Sequence, residues 1–324
     1  MTRKKMLKMK PFNEFYHKSC YYNSILSAVL YLGGSIEPLL CNDFFYYCNE
    51  FDEENPGIHL QYKSKVIKEE AQLLKLMGIS FENIEYEQIW DMLDHGIPVH
   101  IRIDRRYWGS PRNNSIFDSV AMAHNYMITG YDRDKDEFLV IDSTPGQNVL
   151  SKVSCSMMNS GMREYKKLNK KHGIVAIRAM ERGARAEDYK KMFHHRFDEF
   201  RGVMHQGIEE LPLVRQTYAV MESELWQRAA LSDITLNIDR IKTSRELEAY
   251  RVERFYDGMT GEYTLKTQKA VDILGVIQSL FTKISMRGTV SDTVRKSVCG
   301  MFQQLYLQEN DCFNTLACII DRNR

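Results

Sequence analysis

Residues 124–143 read HNYMITGYDRDKDEFLVIDS, and this stretch decides the fold. Asn125 to Gly130 and Glu137 to Ile141 are largely apolar runs of strand length. Between them, Tyr131-Asp132-Arg133-Asp134-Lys135-Asp136 is a polar hairpin connection. In an antiparallel hairpin the start of one strand lies beside the end of the next. His124, entering the first strand, and Asp142, leaving the second 18 residues later, are therefore brought together by backbone pairing. A carboxylate placed there can hold one imidazole N–H and set the tautomer and orientation of the ring.

Outward from the hairpin, Ile97-Pro98-Val99-His100-Ile101-Arg102-Ile103 reads as a further strand, as does Gly173 to Arg178. Upstream, Lys65 to Met77 reads as a helix ending at Gly78, and Tyr86 to Leu93 as a shorter one ending near Gly96. The strongest helical segment is CYYNSILSAVLYLGG, residues 20–34. Tyr22, Ile25, Leu26, Val29 and Leu32 form its apolar face, Ser19 is its expected N-cap, and Gly33-Gly34 stops it. Helices followed by hairpin-connected strands predict an α+β domain over residues 1–183. From 184 to 324 the pattern changes to long, charged, helically periodic segments at 186–204, 213–229, 236–254, 263–284 and 291–306. That half is expected to be a separate all-α domain. It is free either to cap the first domain or to pair with a second copy.

Cys20 opens the buried helix, at its positive end. A thiol is a useful nucleophile only as thiolate, and a helix N-terminus with a neighbouring imidazolium lowers its pKa from about 8.5 to roughly 3.5–7.5. Cys20 has the first of these by sequence, and His124 supplies the second if the fold brings it close. Taken singly, each residue has a plainer role: a small buried residue, a rim histidine, a turn aspartate. The order in which they occur points to a Cys20–His124–Asp142 triad.

Composition narrows the setting. A net charge of +1 in 324 residues, with no basic stripe, argues against a nucleic-acid partner. The basic start, Met1 to Lys10, has no apolar run behind it, and nothing approaches the roughly 18 apolar residues of a membrane helix. The seven cysteines are scattered with no CxxC pair, which favours reduced thiols in a cytoplasmic protein over disulfides or zinc. His194, His195 and His205 lack metal-ligand spacing, so no metal is assigned. The cluster Phe44-Phe45-Tyr46-Tyr47 reads as core, and the basic run Arg163 to Lys171 as a solvated face.

The block HNYMITGYDRDKDEFLVIDS resembles the His-strand-GYD-strand-Asp block of the C39-like, papain-fold cysteine peptidases. With the strand IPVHIRI and the run Asp104-Arg105-Arg106-Tyr107-Trp108-Gly109 before it, the sequence over about residues 12–180 is similar to the N-terminal domain of butirosin biosynthesis protein H. That resemblance implies an acyltransferase of natural-product biosynthesis with no bound cofactor. The acyl group would arrive as a phosphopantetheine thioester on an acyl or peptidyl carrier protein and pass through Cys20 to a small amine. Asp104, Tyr107 and Trp108 are then candidates for substrate binding, and Arg102, Arg105, Arg106 and Arg112 for the phosphates of the carrier arm. One position departs from the pattern. Papain-like enzymes commonly carry glutamine about six residues before the cysteine as an oxyanion donor, and here Glu14 stands there. Asn13 or His17 could substitute, beside the Cys20 backbone N–H. The same triad also serves a cytosolic peptidase or amidase, and a non-catalytic carrier-binding scaffold could keep the fold.

Overall fold

The computed structural model describes residues 3–48, 61–66, 70–104, 123–144, 146–169, 173–180, 186–221, 226, 234–256 and 261–324. The strands are β1 (Lys4–Met6), β2 (Asp43–Cys48), β3 (Gln61–Val66), β4 (Ile79–Asn83), β5 (Val99–Asp104), β6 (Ala123–Asp132), β7 (Glu137–Thr144), β8 (Gln147–Ser154) and β9 (Ile174–Ala179). The helices are α1 (Cys20–Tyr31), α2 (Glu37–Asn42), α3 (Glu70–Leu76), α4 (Ile89–Asp94), α5 (Cys155–Asn169), α6 (Ala186–Glu209), α7 (Leu211–Val220), α8 (Ile234–Phe255), α9 (Gly261–Arg287) and α10 (Asp292–Arg322).

The predicted hairpin is β6 and β7, paired from Tyr126↔Asp142 to Asp132↔Glu137. From His124 to Asp132 every β6 residue is buried, so both faces of the strand are covered. On one side β5 pairs with β6 from Val99↔Ile128 to Asp104↔Ala123, and β9 and then β4 follow. On the other side β7 is followed by β8. Beyond the start of β5, β1 continues the pairing along β6 with Asp132, Tyr131 and Gly130. Among the described residues these seven strands make one antiparallel sheet. The register shifts between Ile128 and Gly130. A Cβ at Gly130 would stand 2.4 Å from the Lys5 carbonyl oxygen, so glycine is what lets β1 approach.

Helix α1 packs on this sheet with Ile25, Leu26, Ala28 and Val29 fully buried. It stops as expected. Gly33 takes φ 75°, and the Gly34 N–H donates to the Val29 carbonyl at 2.7 Å. The helix expected from Lys65 begins only at Glu70, because Lys65 and Val66 belong to β3, in register with Phe44 and Asp43. That pairing is non-local and leaves no mark on the local pattern. Strand β8 and helix α5 were not anticipated. In α5, Met158, Met162 and Tyr165 are buried at helical spacing, and Arg163 to Asn169 of the supposed solvated run lie on this helix.

The contacts divide the chain into two units, residues 1–38 with 68–184 and residues 39–67 with 185–324. The second is built of long helices over its C-terminal part, as expected, and the β2–β3 ribbon clusters with them. Phe44 explains the assignment: its ring stacks on Phe193 at 5.7 Å and on Phe200 at 5.6 Å, both on α6. The Tyr47 hydroxyl donates to Glu309 on α10 at 2.5 Å, inside a buried cluster in which Arg245 binds Glu309 and Glu248. Tyr263 donates to Glu248 at 2.7 Å. The aromatic run is thus core, but core of the helical unit. No helix among the described residues is long and apolar enough to cross a membrane.

Candidate active site

The site begins with how Cys20 is held. Ser19 sits at the N-cap with extended backbone, φ −105° and ψ 120°, yet its hydroxyl makes no capping bond. Asn23 does the holding instead. Its Oδ1 accepts the His17 backbone N–H at 2.7 Å and its Nδ2 donates to the His17 carbonyl at 2.6 Å. The amide thus imitates a paired strand and pins the segment before the cysteine to the first turn of α1. The His17 ring is buried at 1% exposure, accepts the Ser19 N–H on Nδ1 at 2.9 Å and meets the Tyr22 ring edge-on at 4.9 Å. The ring thus helps to hold the loop before Cys20.

Asn13 is likewise engaged elsewhere. Its Nδ2 donates to the Asn148 carbonyl at 3.0 Å and its Oδ1 accepts the Asn148 N–H at 2.7 Å. Asn148 Nδ2 donates in turn to the Phe12 carbonyl at 2.6 Å, and the Phe12 N–H reaches Ser27 Oγ at 3.0 Å. The chain leading to Cys20 is therefore stapled to both β8 and α1.

His124 and Asp142 meet as the hairpin requires, Nε2 to Oδ1 at 3.1 Å, with both side chains buried. The His124 ring also stands edge-on to Tyr126, 4.6 Å between centroids. With Nε2 engaged by Asp142, Nδ1 is the ring nitrogen left for the thiol, and the ring stands close enough to Cys20 to lower its pKa. Asn125, the next residue, donates from Nδ2 to Cys20 Sγ at 3.1 Å. The two charges reinforce each other. Burial disfavours the Cys20 thiolate, but the hydrogen bond and charge of His124 and the Asn125 amide outweigh it, and the thiol pKa is lowered. Burial likewise disfavours the imidazolium, but Asp142 and Cys20 raise His124 to about 9. Both shifts move the couple toward a thiolate–imidazolium pair. By contrast, burial pushes Cys155 and Cys312 up to about 12, and Cys299 upward as well.

Around this pair lie residues that the sequence did not single out. Ser143 Oγ donates to the Tyr16 hydroxyl at 3.2 Å. Burial raises the Tyr16 pKa, with Cys20 and Asp142 adding to it, so the hydroxyl keeps its proton. His100 is buried at 1% exposure, stacked on Phe81 and edge-on to Tyr21, and burial lowers it to about 3. It is a neutral ring. A polar residue within the apolar face of α1 was a usable signal for Asn23, but nothing local marked Asn125, Tyr16 or His100.

Asp104 ends β5, buried, with its backbone beside Ala123, one residue from His124. The Arg102 guanidinium lies over the Tyr21 ring at 5.1 Å. Tyr107, Trp108, Arg105, Arg106 and Arg112 lie outside the described residues. Among the described residues no group of three or more His, Cys, Asp or Glu side chains is arranged to hold a metal ion.

With this geometry in place, the comparison with protein families matches residues 9–172, just over half of the chain, to the Peptidase_C39 like family. The chain belongs to the Peptidase_C39 like family. A search of curated proteins finds no match. The matched span of this C39-like chain contains Cys20, His124, Asn125 and Asp142.

Proposed function

We propose that this C39-like chain is a cysteine acyltransferase that takes an acyl group from a carrier-protein thioester and passes it to an amine through an acyl-Cys20 intermediate. The observation that carries the reading is the line Asp142–His124–Cys20, with the carboxylate 3.1 Å from the ring and the thiol lowered toward thiolate. The choice of a thioester donor is supported by the likeness of residues 97–109 and 124–143 to the butirosin-type block.

In the first half-reaction the Cys20 thiolate attacks the thioester carbonyl, and collapse expels the phosphopantetheine thiol, which takes its proton from His124. In the second, the amine attacks the acyl-Cys20 carbonyl and gives its proton to His124 as the Cys20 thiolate leaves. Asp142 keeps the ring oriented through both steps. The thioester brings the activated acyl group, so this reading needs no resident cofactor. Its partners are a carrier protein and a small amine, and a reducing cytoplasmic setting suits a free catalytic thiol. A scaffold has no use for a buried thiolate–imidazolium pair, which favours catalysis.

Water attacking the same acyl-enzyme would make the protein a peptidase or amidase, as the family name favours. Intact-protein mass spectrometry with an acyl-phosphopantetheine carrier tests the proposal. An acyl adduct absent from Cys20→Ala, cleared faster by added amine than by water, is expected. An adduct that persists in Cys20→Ala refutes it, and clearance by water alone selects the hydrolase.

A further inference from the structure

Every acyl transfer through a thiolate passes through a tetrahedral intermediate whose oxygen carries a full negative charge, and that oxygen needs preorganised donors. The residue standing at the usual side-chain donor position, Glu14, has a carboxyl group and no N–H. Asn13 is turned to Asn148. The His17 ring is turned to Ser19 and Tyr22. Both substitutes that the sequence offered, Asn13 and His17, are thus engaged in holding the loop.

We propose that the side-chain amide of Asn125 is the oxyanion donor of this site, acting on the carbonyl oxygen of the thioester or amide that Cys20 attacks. The inference rests on the acyl-transfer reading of Cys20 and adds the group that binds the intermediate. Nδ2 already lies 3.1 Å from Sγ. The oxygen of an acyl group bonded to that sulfur lies two bonds away, within reach of the same amide. Asn125 is 8% exposed, and its backbone is fixed in β6 opposite Arg102, so the donor is held by a strand and not by a loop. Its Oδ1 is buried, with the His100 ring as its polar neighbour. The neutral ring can offer an N–H to Oδ1 but no charge. This leaves the opposite edge of the amide, with its two N–H groups, to the sulfur side.

In the step itself the Sγ electron pair forms the S–C bond and the carbonyl π pair moves to oxygen, where Asn125 Nδ2–H and the Cys20 backbone N–H receive it. No proton moves to the oxygen. Collapse restores the carbonyl and expels the leaving group, which takes its proton from His124.

The test compares two reactions of the same thiol in the full chain. Acylation by an activated thioester needs the oxyanion donor. Alkylation by iodoacetamide attacks a saturated carbon and needs none. In Asn125→Ala, and in Asn125→Leu, which keeps the branched shape without the N–H, acylation should fall about 100- to 1,000-fold while alkylation at each variant's pH plateau stays within about threefold. Equal losses in both reactions, with folding confirmed by thermal melting, overturn the inference, as does unchanged acylation. A loss confined to Tyr16→Phe gives the role to the Tyr16 hydroxyl and also overturns it. If the wild type alkylates at Cys20 but accepts no acyl group from any thioester or amide, the acyl-transfer reading fails and takes this inference with it.

Discussion

Replacing Asp142 by asparagine perturbs the site at its central charge pair. The carboxylate lies 3.1 Å from His124 Nε2, and the two side chains are only 13% and 9% exposed, so solvent screens them little. Burial works against the imidazolium, yet Asp142 and Cys20 hold it up to about 9. Asparagine keeps the shape and removes the charge. A hydrogen bond to a charged group contributes about 1.5–3 kcal/mol. At about 1.36 kcal/mol per pH unit, its loss brings the His124 titration down to about 7–8. The thiolate then loses much of its counter-ion at neutral pH, and acyl transfer should fall roughly 10- to 150-fold. The assay is an NMR titration of ring-labelled histidine, with His124→Gln to assign the resonance, alongside iodoacetamide rates across the same pH range. A ring in Asp142→Asn that still titrates near 9 would show that the carboxylate is not what holds the imidazolium.

The same pair makes stability depend on pH. The folded His124 titrates above the ordinary histidine value, so its contribution is complete below about 6.5 and is lost as pH rises through about 9. Cys20, lowered in the fold, contributes fully above its ordinary value and loses that contribution as pH falls. With Cys20 replaced in both chains, the melting temperature of Cys20→Ala relative to a Cys20→Ala, His124→Gln double variant should therefore decline as pH rises above about 6.5, and parallel curves would refute the pairing of Asp142 with His124. In the helical unit, Glu309→Ala removes the main partner of the buried Arg245 and should cost about 3–5 kcal/mol in guanidinium unfolding followed by the buried Trp226. A cost below about 1 kcal/mol would mean that Glu248 and Tyr47 already satisfy that core.

The legible parts of the site were those that local pattern controls. Strand periodicity and a six-residue polar connection place His124 beside Asp142 without reference to the rest of the chain. The cysteine at a helix start was equally visible, because an apolar face at 3.6 spacing and a Gly-Gly stop define α1. The support around it was not. Asn13 and His17 read as spare donors because sequence cannot show that Asn148 and Ser19 already use them. Alternation along β6 turns Asn125 away from His124, so its reach to Sγ depends on where α1 crosses the sheet.

Sequence by itself determined the α+β class, the pairing of His124 with Asp142 and the long-helix character of the second half, since each follows from periodicity within one or two adjacent segments. Tertiary structure alone decided which unit owns the Phe44-Phe45-Tyr46-Tyr47 run, where the Lys65 segment pairs, and which amide faces the thiol. Each of these depends on partners far along the chain. Phe44 meets Phe193, Lys65 pairs with Phe44 as a strand, and Asn125 meets Cys20 across 105 residues. Such contacts form only when the whole unit closes, because the entropy of bringing distant segments together is repaid by burial that no local stretch can supply.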